Sequence, residues 1–205
     1  SMFEAFLPEE IAAPYRQHLS KLQDSAPPLP SSRVQAVLRS ELGPRWRERF
    51  ESIDLRPAAA ASIGQVHRGV LVGGQPVAIK VQYPDIADQV EWDLQALGWL
   101  SAPVGDLRKG FAIEAYRHEI GDMLRRELDY HKEADAVRLF AVQTGALDAI
   151  CIPQVIPELS GKRILTTTWV DGYAIHATNS WSLPDRTAVA DALARFFLNS
   201  LFVWN

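Results

Sequence analysis

The stretch that most constrains the fold of this chain spans residues 57–82 and reads PAAAASIGQVHRGVLVGGQPVAIKVQ. Strand-forming residues run from 62 to 72, the Gly73-Gly74 pair predicts a tight turn, and residues 77–81 return as an apolar strand. The segment therefore predicts a β-hairpin that follows a short loop. Lys80 stands out in the second strand, because a buried lysine needs a carboxylate or a phosphate to offset its desolvation.

Two interpretations of Lys80 follow from the residues alone. On an edge strand the side chain would point to solvent and need no partner, as edge lysines commonly do. Alternatively, V-A-I-K after a hairpin is typical of protein kinases, in which this lysine holds the phosphates of the nucleotide.

The loop before the hairpin departs from an ordinary kinase. A kinase would carry G-x-G-x-x-G there, whereas this chain has AAAASIGQVH at 58–67. Alanine disfavours the positive-φ conformations that glycine allows, and an alanine run favours a helical turn. We therefore expect a stiffer, differently shaped loop, or alternatively a packed turn that carries no chemistry. Ser62, Gln65 and His67 could donate to a phosphate, although His67 is better explained as a partly buried strand residue.

Further motifs follow in order, ELDYHKEA at 127–134 and ILTTTWVDG at 164–172. Together with AAAASIGQVH and VAIKVQYP they closely resemble the UbiB family of atypical kinases, also called the aarF-domain-containing kinases. The resemblance covers nearly the whole chain but only part of the family's domain. It implies binding of ATP with magnesium and an unorthodox kinase or ATPase activity that supports ubiquinone and isoprenoid-lipid metabolism, often near membranes.

The resemblance also implies a set of nucleotide-facing residues. Glu133 would orient Lys80 and leave ammonium donors free for phosphate oxygens. Asp171, after the last predicted strand, would hold the adenosine end or merely start a turn. The expected cofactor-binding residues are Ala59, Ala60, Ala61, Ser62, Lys80, Glu133 and Asp171.

Three carboxylates at 127, 129 and 133 admit two interpretations. On one continuous helix Asp129 and Glu133 share a face, and their repulsion costs a few tenths of a kcal/mol (~0.2–0.5) unless a cation lies between them. Glu127 and Asp129 would point to nearly opposite sides, so the three cannot form one metal cage, and we predict no metal site. From the residues alone, a solvated face neutralised by nearby arginines and lysines is the better explanation of the pattern. The resemblance instead maps the family's regulatory E-x-D motif onto Glu127 and Asp129, which is implied to engage a K-x-G-Q segment that this sequence does not contain.

We predict an α+β fold: a protein-kinase-like N-lobe with a five-stranded antiparallel sheet and a long C-type helix, plus N-terminal helices and the first C-lobe helix. Residues 1–45 would form a helical extension, 46–175 the lobe, and 176–205 a linker and the first helix of a truncated C-lobe. Strands are predicted near 50–55, 62–72, 77–81, 152–159 and 163–169. Helices are predicted at 8–24, from a cap at Ser31 or Ser32 to Gly43, at 84–100, at 111–143 and at 184–203.

Two kinase motifs do not occur in the 205 residues, namely the H-x-D-x-x-x-x-N catalytic loop and the metal-binding D-F-G. Because phosphoryl transfer depends on both, we predict no catalytic residue in this chain, no turnover by the chain alone, and magnesium binding only with the missing C-lobe. The alternative hypothesis is a non-catalytic interaction or regulatory module with a kinase-like lobe.

The composition limits the classes of binding partner to expect. A net charge of -4 without a block of basic residues argues against nucleic-acid binding. Cys151, the single cysteine, excludes an internal disulfide and is predicted to be a small core residue. The most apolar run, 196–204, is too short to span a bilayer, and no signal peptide is visible, so we expect a cytoplasmic location, with the resemblance adding a peripheral membrane site. A lipid or membrane-associated protein partner is implied by the resemblance, and the apolar final helix predicts self-association.

Overall fold

The computed structural model describes residues 28–61, 63–100, 121–122 and 125–204. Its strands are β1 (Phe50–Ile53), β2 (Ala59–Ala61), β3 (Gly64–Leu71), β4 (Pro76–Gln82) and β5 (Ile164–Thr168). Its helices are α1 (Ser31–Leu42), α2 (Ile86–Leu100), α3 (Tyr130–Gln143) and α4 (Leu183–Phe202). The helix predicted at 8–24 lies outside the described residues.

All the strand pairs in the five-stranded sheet are antiparallel, which confirms the predicted α+β class. The order is β1-β3-β4-β5, and β2 also pairs with β3. The predicted Gly-Gly turn joins β3 to β4, with φ of 105° at Gly73 and 86° at Gly74, values that glycine adopts without strain. β4 is therefore a central strand between β3 and β5.

The fifth strand does not come from the expected segment. Residues 152–159, predicted as a strand, make a single isolated bridge from Val155 to Thr167 and then form a 3-10 turn at Pro157–Leu159. Pro153 and Pro157 have no amide hydrogen to donate, so a regular ladder cannot extend along this segment.

The alanines supply that strand instead, so the predicted helical turn is wrong. Ala59–Ala61 pair with residues 64–66 of β3, while β1 pairs with the other half of the same strand. β1 and β2 thus form one edge strand that is interrupted at 54–58. Cross-strand hydrogen bonds such as Ala58 N to Val66 O (2.7 Å) outweigh the weak helical preference of alanine.

The two faces of the sheet pack against different helices. On one face Val77, Ile79 and Val81 form the main core with Val34, Val37 and Leu38 of α1. On the opposite face a smaller cluster joins Tyr130 and Ala134 of α3 to Leu165. Because side chains alternate along β4, Lys80 projects toward the α3 face.

Helix α1 begins differently from the prediction, and an ion pair ties its end to the sheet. Its N-cap is Pro30, so neither Ser31 nor Ser32 caps it, whereas Gly43 ends it as predicted with φ of 83°. Arg163, just before β5, donates from Nε to Oε1 of Glu41 at 2.8 Å and from its backbone N to Oε2 at 3.2 Å. This charge-assisted pair ties the end of α1 to the sheet.

The single long helix predicted at 111–143 is wrong. Residues 125–127 are helical, Leu128 is a turn, and α3 starts only at Tyr130. The Asp129 side chain accepts a hydrogen bond from His131 N at 3.1 Å and so acts as the N-cap of α3. The Leu128 carbonyl accepts from the buried Gln82 side chain at 3.1 Å, which secures the break over the end of β4.

The last helix begins at Leu183, one residue before the predicted start at 184, with Ser182 as its N-cap, and none of its side chains is buried. It contacts the end of α3 through an aromatic cluster of Phe140, Phe196 and Trp204, with ring centroids 5.6 to 6.1 Å apart. Within the described ranges, no helix is long and apolar enough to span a bilayer. Cys151 is exposed rather than in the core, so that prediction is wrong.

Candidate functional site

Lys80 lies at the centre of the candidate site. Its Nζ donates to both carboxylate oxygens of Glu133, at 2.8 and 2.7 Å, so strand β4 and helix α3 are joined by a bidentate ion pair. The two side chains are 22% and 39% exposed, so the pair is partly open to solvent rather than enclosed in the core. The edge-strand interpretation of Lys80 is wrong, because Lys80 pairs with Val66 on one side and Leu165 on the other.

Tyr130 completes the surroundings of the ammonium. Lys80 Nζ lies 4.7 Å from the centroid of the Tyr130 ring, in a cation–π contact. Tyr130 is 1% exposed, and among the described residues its hydroxyl has no hydrogen-bond partner. Burial, followed by the negative charges of Glu133 and Glu127, raises the pKa of Tyr130.

Sequence reasoning did not identify Tyr130. The signal was present, because Tyr130 and Glu133 are three residues apart and such pairs share one face of a helix. A tyrosine at that spacing from the partner of Lys80 can reach the same ammonium. The sequence interpretation sought only an anionic partner for Lys80, so an aromatic ring one helical turn from Glu133 was not considered.

The alanine strand lies beside this centre. Val66 pairs with Ala59 on one side and with Lys80 on the other, so Ala59 is two strand spacings, about 10 Å, from Lys80. Ala59 and Ala60 are exposed and Ala61 is half-buried. Ser62, the fourth residue predicted in this loop, lies outside the described residues.

The turn after the alanines is held tightly to β4. A Cβ at Gly64 would lie 2.3 Å from the carbonyl oxygen of Val81, so no other residue fits without a backbone shift. Tyr83 N donates to Ile63 O at 2.9 Å, three residues after Lys80. The position of the turn is therefore coupled to the strand that carries the lysine.

Asp171 lies apart from this centre. It is exposed, three residues beyond the end of β5, and its Oδ1 accepts from the indole N–H of Trp169 at 2.8 Å. The guanidinium of Arg68 stacks over the same indole, 4.8 Å from its centroid. The predicted role of Asp171 toward a nucleotide stays a prediction.

The E-x-D residues lie on either side of the helix break. Glu127 ends the helical stretch before the break, whereas Asp129 caps α3, so they do not share the straight helix on which their opposite directions were predicted. Asp129 and Glu133 are likewise not two residues of one helix face, because Asp129 precedes the first turn. No three His, Cys, Asp or Glu side chains approach closely enough for a metal in the parts of the chain that the structure describes.

Gln65 and His67, two of the predicted phosphate donors, lie on the face of the sheet opposite to Lys80. His67 Nδ1 lies 2.9 Å from the Asp54 carbonyl and must donate to it, so Nε2 accepts from Gln65 Nε2 at 2.8 Å. Gln65 Oε1 in turn accepts from Leu29 N at 2.9 Å. Burial lowers the pKa of His67 despite the opposing effect of Asp54. This buried relay joins the start of α1 to the interruption before β2 and does not contact Lys80.

The chain is similar to atypical kinase-like proteins over most of its length. The family model for the ABC1 atypical kinase-like domain matches residues 21–205. The atypical kinase coq-8, mitochondrial, of Caenorhabditis elegans is 34% identical over 92% of this chain and 25% of its own length. The atypical kinase COQ8, mitochondrial, of Saccharomyces cerevisiae is 32% identical over 97% of this chain and 39% of its own length.

A solved structure of Rv3197 from Mycobacterium tuberculosis, in complex with erythromycin, is also similar. The TM-score is 0.65 at 33% sequence identity, over 91% of this chain and 46% of that chain. The chain thus spans about a quarter to two fifths of the two curated relatives and under half of the solved structure.

Proposed function

Because the chain belongs to the ABC1 atypical kinase-like family, which confirms the resemblance to UbiB, we propose that it forms the ATP-binding lobe of an atypical kinase. The observation that carries this proposal is the bidentate ion pair between Lys80 on a central strand and Glu133 on α3. A lysine held in this way presents a fixed, partly exposed positive charge, which is what a nucleotide phosphate requires.

The donor set around Lys80 fits a phosphate group. An ammonium carries three N–H donors, and Glu133 accepts at two of its oxygens. The Tyr130 ring covers another side, and the side chain is 22% exposed, so one direction stays open to an incoming oxygen. Phosphate oxygens approaching from that direction would gain a charge-assisted hydrogen bond without displacing Glu133.

The alanine strand would cover the phosphates, and its exposed position beside Val66 and Lys80 supports this assignment. We assign the remaining contacts to Ser62 and Asp171, and a regulatory role to Glu127 and Asp129, on the resemblance alone. The division of the chain at 45 and 175 belongs to the same proposal.

The wider activity is proposed from the relatives. Their names describe atypical kinases, and a role in ubiquinone or isoprenoid-lipid metabolism follows for this chain only by the family resemblance. Because H-x-D-x-x-x-x-N and D-F-G are not in the 205 residues, we expect this polypeptide alone to bind ATP without hydrolysing it. A peripheral membrane location is part of the proposal, and co-flotation with liposomes of mixed zwitterionic and anionic lipids tests it.

Calorimetric titration with ATP, with and without magnesium, tests the binding site. We expect saturable binding by the wild-type chain, at least a tenfold loss in Lys80→Ala, and unchanged affinity in Lys132→Ala, an exposed lysine of α3 that serves as matched control. Equal losses in the two variants would point to unspecific charge. No binding by the wild-type chain would overturn the proposal.

A non-catalytic interaction module is the second candidate, and the exposure of α4 favours it, since the helix buries no side chain. This function does not depend on Lys80. If association through α4 is unchanged in Lys80→Ala and no ATP binding is found in the wild-type chain, the interaction module becomes the better explanation.

A further inference from the structure

We propose that Tyr130 is a positioning residue for Lys80, acting through the face of its ring. The nucleotide part of this inference rests on the proposed ATP site, whereas the contact itself does not. Lys80 Nζ lies 4.7 Å from the ring centroid and 2.7 Å from Glu133 Oε2, so the ammonium is held from two sides by two side chains of α3.

The ring is fixed more firmly than the ammonium that it supports. Tyr130 is 1% exposed and packs with Ala134 and Leu165, with Ile63 against the same cluster. Its backbone N donates to Lys162 O at 3.0 Å, which anchors the first turn of α3 next to β5. A rigid aromatic face is therefore available where the flexible lysine side chain ends.

The hydroxyl does not explain why a large aromatic residue lies here. A buried tyrosine normally donates its O–H, yet this hydroxyl has no partner within the described part of the chain. An unpaired buried hydroxyl lowers stability. The favourable contact of Tyr130 with a polar group is thus the one between the face of its ring and the Lys80 ammonium.

Glu133 alone leaves the ammonium free to pivot about the carboxylate. The side chain of Glu133 is 39% exposed, so the carboxylate can change rotamer together with the lysine. The buried ring restricts that movement, because Nζ loses the cation–π contact when it swings away. The ring consequently fixes the direction in which the remaining N–H donor of Lys80 points toward solvent.

Two substitutions separate the ring from the hydroxyl. Tyr130→Phe keeps the ring and removes the unpaired hydroxyl, so we expect ATP affinity within about twofold of wild type and a higher unfolding midpoint. Tyr130→Met keeps the apolar packing without the aromatic face, so we expect ATP affinity to fall about 3- to 30-fold, the range that a cation–π contact supplies. If Met binds ATP as well as Phe, or if Phe is as weak as Met, the ring is not the positioning element.

A double-mutant cycle in urea tests the contact without nucleotide. The cycle combines Tyr130→Met with Lys80→Met, and we expect Tyr130→Met to lower the unfolding midpoint less when Lys80 is already replaced. Additive midpoints would overturn the inference. If the wild-type chain binds no ATP, the proposed function fails, and this cycle still decides whether Tyr130 holds Lys80.

Discussion

Replacement of Gly64 by alanine should disrupt the junction between the alanine strand and the strand that carries Lys80. The added Cβ would lie 2.3 Å from Val81 O and 3.0 Å from Val81 C, both backbone atoms of the adjacent strand. Contacts of Cβ below 3.0 Å essentially do not occur, so the two strands must separate by several tenths of an ångström. Backbone atoms cannot rotate out of the way as a side chain can.

The expected cost follows from what that separation breaks. Overpacking of a tight site costs about 1–3 kcal/mol, and loss of one neighbouring hydrogen bond, such as Tyr83 N to Ile63 O, adds about 1 kcal/mol. We therefore expect Gly64→Ala to lower the free energy of unfolding by about 2–4 kcal/mol, a large share of the stability of an ordinary domain.

Gly69→Ala is the matched control, because it lies in the same strand and also has negative φ. The closest neighbour of the added Cβ would be Ile79 Cδ1 at 2.9 Å, the end of a side chain rather than a backbone atom, so we expect a loss under about 1.5 kcal/mol. Urea unfolding followed by tryptophan fluorescence measures both variants. Equal effects of the two substitutions, or a change below about 1 kcal/mol for Gly64→Ala, would refute the reasoning.

Three further outcomes are expected. Burial lowers the pKa of His67 from 6.5 in the folded state, whereas in the unfolded chain His67 takes up a proton near pH 6.5. The free energy of unfolding is therefore highest above pH 6.5 and declines as the pH falls below it. Urea unfolding on both sides of pH 6.5 checks this, because the decline should be smaller in His67→Gln. Asp129→Ala removes the N-cap bond to His131 N and should cost about 1 kcal/mol in the same assay, with Asp129→Asn near wild type; equal losses would point to charge rather than capping. Phe197 is 60% exposed on α4, and we expect concentration-dependent association of the wild-type chain in sedimentation velocity that weakens in Phe197→Ser, whereas a monomer at all concentrations would contradict it.

Local patterns predicted the central part of the fold. The β3–β4 hairpin was readable because strand residues flank a glycine pair, and both glycines adopt the positive φ that such a turn requires. The need of Lys80 for an anionic partner was readable from its place in a buried strand, whereas Glu133 as that partner was implied by the family resemblance. In both cases the deciding information lies within a few residues or in a known motif.

The failures share a different cause, which is that partners distant in sequence decided the structure. The helix break at Leu128 is held by the side chain of Gln82, 46 residues earlier, and by Asp129, which caps the helix that follows. The alanines became a strand because β3 offered unpaired backbone groups, which helix propensity does not describe. The contact of Tyr130 with Lys80 likewise joins residues that are far apart in the chain.

Both outer edges of the sheet are irregular, which limits how copies of this chain can aggregate. One edge consists of β1 and β2 with an interruption at 54–58, and the other is covered by a segment with Pro153 and Pro157 that makes only one bridge. A continuous row of free amides is a template for cross-β growth, and neither edge offers one. Concentrated samples should consequently form oligomers through helices, reversible on dilution and negative for amyloid-binding dyes.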